Sequence, residues 1–120
     1  MCVAEGMASG LPVIVTGMGG TTDFCNPRTA FLIPAGLRQM SKKQLDNELT
    51  LDYPTYAEPD LEGLVECMRQ VYEHPWESRT IAQEGMNKIR TEFTWDHAAD
   101  IAVQRLAALR SMPVQRFLKS

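Results

Sequence analysis

Glu5-Gly-Met-Ala-Ser-Gly-Leu-Pro-Val-Ile-Val-Thr16, followed by Gly17-Met-Gly-Gly-Thr-Thr-Asp-Phe24, is the stretch on which the reading of this chain turns. Pro12 to Thr16 is a short β-branched run bounded by Gly10 and Gly17, the pattern of a strand buried on both faces of a parallel sheet. Ahead of it, Val3, Ala4, Met7 and Ala8 have the spacing of the last turns of a helix over Cys2–Ser9, with Gly10 as its left-handed stop. Behind it lies a glycine-rich loop whose backbone can approach a ligand closely, because glycine has no side chain to obstruct it. Ala30-Phe-Leu-Ile33, closed by Pro34 and Gly36, predicts a second buried strand.

Composition changes near residue 60, from glycine and proline punctuation to long periodic segments. Residues 37–59 read as an irregular connection with a short strand near Leu49 to Leu51, since Pro54 and Pro59 limit regular structure. From Asp60, a suitable cap, Leu61, Leu64, Val65, Met68, Val71 and Tyr72 follow helical spacing until His74-Pro75. A second helix is expected from Trp76 to Glu92, burying Ala82, Met86 and Ile89 and then Phe93, although Gly85 inside it costs about 1 kcal/mol relative to alanine. Thr94 should cap a third, over Trp95–Arg110, with Trp95, Ala98, Ala102, Leu106 and Leu109 as its buried stripe and Pro113 marking its end. This assigns Trp95 to packing rather than to sugar stacking, and His97 to an exposed first turn. The tail from Pro113 to Ser120 carries Val114, Phe117 and Leu118 beside Arg116 and Lys119, an amphipathic contact or a frayed end.

With 120 residues the chain has room for one small domain and too little for two lobes with a cleft between them. Hydrophobic residues at 44% and charged residues at 22% fit a folded chain rather than a disordered one. A net charge of -3 gives no pull toward nucleic acid or an anionic membrane. No stretch approaches the roughly 20 apolar residues that span a bilayer, and the amino terminus does not read as a signal peptide. Cys2, Cys25 and Cys67 are an odd number without tight spacing, which suits free thiols in the cytoplasm better than a disulfide framework. Together with His74 and His97 they lack the spacing of a metal set.

Taken in order, the Glu5–Thr16 segment, the Gly19-Gly-Thr-Thr-Asp-Phe24 turn, Ala30-Phe-Leu-Ile-Pro34, Tyr56-Ala-Glu-Pro-Asp-Leu61 and Phe93-Thr-Trp-Asp-His-Ala-Ala99 resemble the donor-binding lobe of glycosyltransferase family 4, which has the two-domain GT-B fold. The resemblance covers nearly the whole chain. It implies an α/β fold, a partial Rossmann-like parallel sheet followed by three helices, with residues 1–110 as part of a nucleotide-sugar-binding lobe and 111–120 as a carboxyl-terminal tail. Members of that family carry two glutamates separated by seven residues, and Glu5 matches the second. Gly6 departs from the usual alanine, and Asp23 stands where glutamate is common.

By the same resemblance, Glu5 would accept hydrogen bonds from the donor's ribose hydroxyls, as a carboxylate with two acceptor oxygens can. Gly19, Gly20 and Thr21 would turn backbone amides toward the sugar or diphosphate of a UDP-, GDP- or ADP-hexose, and Asp23 would cap the short helix after the turn. The implied reaction is hexosyl transfer with retention, in which the protein positions the donor and stabilises charge on the leaving diphosphate, without a nucleophile or a cofactor from this segment. The first glutamate, its glycine-rich loop and the acceptor lobe would precede Met1, so the chain is expected to be a fragment, inactive alone. Its open sheet edge and apolar surface would favour the missing lobe or self-association. A non-catalytic module that binds a partner through the same half-fold is the alternative. An unrelated nucleotide-binding domain is disfavoured, because the glycine turn matches neither G-x-G-x-x-G nor the P-loop lysine pattern.

Overall fold

A computed structural model describes residues 2–110 and Met112. The described chain is mixed α/β, with four α-helices and three two-stranded sheets. Helix α1 (Cys2–Ala8) leads into strand β1 (Ile14–Thr16), which pairs in parallel with β2 (Phe31–Ile33), Val15 opposite Leu32. Parallel strands need a crossover, and residues 17–30 supply it through a single 3-10 turn over Gly20–Asp23.

Both faces of this small sheet are covered, as parallel strands require. On one face Met7, Val15, Cys25, Ala30 and Ile89 form a buried cluster, with Val3, Ala4, Phe24 and Leu32 packed against it. On the other, Phe31, Ile33 and Cys67 are buried with Ile14, Leu64, Val71 and Ile81 around them. Helix α2 (Leu61–Glu73) covers the second face, and α3 (Pro75–Glu92) reaches both, through Ile81 at one end and Ile89 at the other. Alternation along β1 and β2 therefore feeds two cores from one pair of strands. The outer edge of β1 pairs with no strand among the described residues.

Helix boundaries follow local chemistry. Asp60 caps α2 by accepting from the Gly63 amide at 3.0 Å, and His74-Pro75 divides α2 from α3, the proline tolerated because the first helical amides have no intrahelical acceptor. Thr94 caps α4 (Trp95–Arg110), its hydroxyl accepting from the His97 amide at 3.2 Å. Gly85 is in α3 for a reason the periodicity does not carry: a Cβ there would lie 2.6 Å from the Thr29 carbonyl oxygen and 3.1 Å from Met7 Cε. The missing side chain is what lets α3 close on the core.

Three expectations are corrected. Residues 37–59 are not irregular: β3 (Ala35–Gln39) pairs antiparallel with β6 (Thr55–Pro59), enclosing a smaller hairpin of β4 (Gln44–Leu45) and β5 (Glu48–Leu49). Pro59 is accommodated at the end of a two-stranded ribbon, opposite Ala35, and Pro54 contributes only its carbonyl, which accepts from Met40 N–H at 2.8 Å. Secondly, α4 buries no stripe; every one of its residues is exposed, Trp95 at 87%. Thirdly, the packed seam of α3 is Ser78, Ala82, Gly85 and Ile89, with Met86 half-buried and Phe93 46% exposed. The tail from Pro113 to Ser120 lies outside the described residues.

The ribbon and α4 stretch the molecule. Its radius of gyration is 19.6 Å and its extents 64 × 42 × 20 Å, against about 14 Å for a compact chain of this length. Among the described residues no helix is long and apolar enough to cross a membrane.

Candidate functional site

Glu5 projects from the exposed face of α1. The helix is closed behind it by a Schellman arrangement: the Gly10 amide donates to the Met7 carbonyl at 2.9 Å and the Leu11 amide to the Gly6 carbonyl at 3.1 Å, with Gly10 at φ 74°. Arg90 of α3 adds a donor from outside, its Nε reaching the Ala8 carbonyl at 3.0 Å, where a cation also complements the helix dipole. The Glu5 carbonyl accepts from the Ser9 amide and hydroxyl at 3.0 and 2.9 Å. Its carboxylate has no hydrogen-bond or ion-pair partner among the described residues. Gly6 has room for an alanine, since a Cβ would meet only Val13 Cγ2 at 3.7 Å.

The glycine turn leaves the carboxyl end of β1. Gly17 stays in the ladder, its amide donating to the Ile33 carbonyl at 2.8 Å. Gly19 then adopts φ 93°, a conformation that side chains resist. Its carbonyl accepts from both the amide and the hydroxyl of Thr22, at 3.0 and 2.7 Å. The Thr21 hydroxyl reaches back to the Thr16 carbonyl at 3.4 Å, tying the turn to the strand that carries it. A Cβ at Gly19 or Gly20 would meet nothing within 4 Å. The amides of Gly19, Gly20 and Thr21 have no acceptor among the described residues, as expected of the first groups in a helical turn.

Glu5 and the turn therefore share one scaffold. Met7 follows Glu5 by two residues and is fully buried, and Cys25, just past the turn, meets it sulfur to sulfur at 3.6 Å. Val3 and Ala4 of α1 pack on the same cluster as Phe24. Asp23 does not cap the 3-10 turn: it is the last residue of that turn, and Gly19 occupies the cap position without a side-chain hydrogen bond. Glu5, Gly19 and Gly20 are exposed, and Thr21 is half-buried.

The cysteines divide by burial. Cys2 is exposed while Cys25 and Cys67 are buried, and none is in a disulfide. Burial pushes both buried thiols above their ordinary value of 9.0, aided at Cys67 by the adjacent Glu66 carboxylate and opposed there by a backbone hydrogen bond. Both are thus held as neutral packing groups, ill suited to nucleophilic work. No group of three or more His, Cys, Asp or Glu side chains is arranged to hold a metal ion among the described residues.

One concavity escaped the sequence reading. Phe93, Thr94, Trp95, His97, Ala98 and Ile101 line an apolar hollow of about 450 Å³ where α3 passes into α4. Phe93 connects it to the glycine turn, stacking edge-on against Phe24 with ring centroids 5.7 Å apart. Helical spacing marked Phe93, Trp95 and Ala98 for burial, and spacing alone carries no sign of whether a partner surface exists. No family model matches the chain, and neither a curated protein nor a solved structure matches it.

Proposed function

We propose that this chain is a donor-binding portion of a retaining glycosyltransferase of the GT-B type, related to family 4, and that it binds a nucleotide-hexose at the carboxyl edge of β1. The observation that carries the reading is the turn at Gly19 and Gly20. It is free of side chains, open to solvent and presents amides that have no acceptor among the described residues at the end of a parallel strand, where ligands of open α/β sheets bind. Glu5, without a partner for its carboxylate, is the acceptor for the ribose hydroxyls. Gly19, Gly20 and Thr21 face the sugar or the diphosphate.

In this reading the segment positions the donor and eases charge onto the departing diphosphate, and supplies neither nucleophile nor proton. The open edge of β1 is where further parallel strands would extend the sheet into a Rossmann-like lobe. By itself the segment binds the donor and transfers nothing, because one face of the site and the acceptor's surroundings come from residues other than these. A second reading, a non-catalytic module that binds a partner, is favoured by one observation, the fully exposed α4.

Calorimetric titration of the chain with UDP-glucose, GDP-mannose and ADP-glucose tests the first reading. Saturable binding of one donor is expected, weakened roughly tenfold or more by Glu5→Ala, as loss of a charge-assisted hydrogen bond entails. The exposed Glu84→Ala on α3 should leave it unchanged. Absence of binding to all three donors, or binding indifferent to Glu5→Ala, would sink the assignment.

A further inference from the structure

Helix α4 is amphipathic in a way that specifies a partner. Trp95, Ala99, Ala102, Leu106 and Leu109 are spaced four, three, four and three residues apart, the a/d seam of a two-stranded helical pair. Nothing among the described residues buries that seam: the whole helix is exposed, with Leu106 at 63% and Leu109 at 43%. In that register Asp96, Val103 and Arg110 fall at successive positions of one flank, seven residues apart.

That flank reads acidic, apolar, basic, and it is its own complement when reversed. Two copies of α4 related by a two-fold axis at Val103 set Asp96 of each against Arg110 of the other, with the two Val103 side chains meeting between them. A parallel pair would instead bring Arg105, on the opposite flank, against Arg110 of the second helix in two like-charge contacts and lose both Asp96–Arg110 pairs, whereas the antiparallel pair has one like-charge contact, Arg105 against its own copy beside the axis. Ala99 and Ala102 at the centre of the seam allow a close approach of the axes, toward the short end of the roughly 8–10 Å range for packed helices.

We propose that a second copy of this chain covers α4, through an antiparallel, two-fold α4–α4 seam bordered by reciprocal Asp96–Arg110 pairs. A single pair of sixteen-residue helices is a small interface, so the association is weak and concentration-dependent. The proposal is independent of the donor-site reading, since neither Glu5 nor the glycine turn takes part in it.

Sedimentation velocity of the full 120-residue chain over a range of concentrations provides the test. A monomer–dimer equilibrium is expected. Asp96→Arg and Arg110→Asp should each turn two attractions into two repulsions and raise the dissociation constant roughly tenfold or more. The double variant Asp96→Arg/Arg110→Asp should return it to the original value. Asp100→Arg, on the outward face of the same helical turns, serves as the control that changes charge without changing the seam, and Leu106→Asp should leave only monomer. Far-UV circular dichroism confirms that each variant keeps its helices, which is expected because no residue of α4 is buried. A chain that is monomeric at every concentration overturns the proposal. So does a dimer that survives Leu106→Asp, which would place the contact elsewhere, such as the open edge of β1, and so does a double reversal that fails to restore association.

Discussion

Helices α3 and α4 are neighbours of similar length, and the more apolar of the two is the one left outside. Helix α3 carries Glu77, Arg79, Glu84, Lys88, Arg90 and Glu92 and yet is packed along Ser78, Ala82, Gly85 and Ile89. Helix α4 is rich in alanine, leucine, isoleucine and valine and buries nothing. The difference lies in fit rather than in hydropathy. Small residues on α3 let its axis settle against Thr29 and Met7, and Arg90 fastens it to the end of α1. Helix α4 has an apolar stripe that no surface among the described residues receives.

Substitutions that break or sharpen this contrast range from severe to silent. Met7 is fully buried beneath α3 in the first core cluster, so Met7→Ala should cost about 2–5 kcal/mol in denaturant unfolding. A loss well under that range would mean that α3 does not depend on this contact. Gly85→Ala comes next. Helix propensity alone predicts a gain, but the added Cβ meets a backbone oxygen at 2.6 Å, so a net loss of about 1–3 kcal/mol is expected. Part of the strain should vanish in the Met7→Ala background, because Met7 Cε is the other atom in the way. A stabilised Gly85→Ala would mean that α3 moves off Thr29 at little cost.

Thr94→Ala removes the hydroxyl that accepts from the His97 amide and should weaken α4 by about 1 kcal/mol. Because α4 is not packed on the rest, the change should appear as lost helical ellipticity with the global unfolding midpoint held. A shifted midpoint would reveal coupling to the core. Smallest of all, Ile101→Gln on the outward face of α4 should alter stability by less than about 0.5 kcal/mol, however apolar the residue it replaces. The same substitution into a packed seam would be costly, and that is the contrast at its simplest.

Legibility in the sequence followed the range of the interaction involved. Gly10 as a helix stop, Asp60 and Thr94 as caps, and His74-Pro75 as the break after α2 were readable because each acts within a few residues of itself. The two buried strands were readable because short apolar runs closed by glycine or proline have few other uses, and their parallel pairing followed the expected pattern. The ribbon of residues 35–59 was not readable: its strands pair Ala35 with Pro59 and Gln39 with Thr55 across a nested hairpin, and two prolines disguised it. Of the candidate site, the residues were named by the family resemblance, and their backbone geometry was not legible: Gly19 is needed for its φ of 93°, while Gly20 faces open space.

What the sequence determined by itself was the alternation of elements and the faces they prefer to hide, since covalent spacing fixes which side chains share a side of a helix or strand. Tertiary structure alone decided which of those faces found cover. Two strands feed two cores because helices from both sides reach them, and Gly85 is indispensable because Thr29 happens to lie against it. The Trp95–Leu109 stripe stays in solvent because burial needs a complementary surface at the right place, and periodicity encodes only one of the two surfaces in any contact.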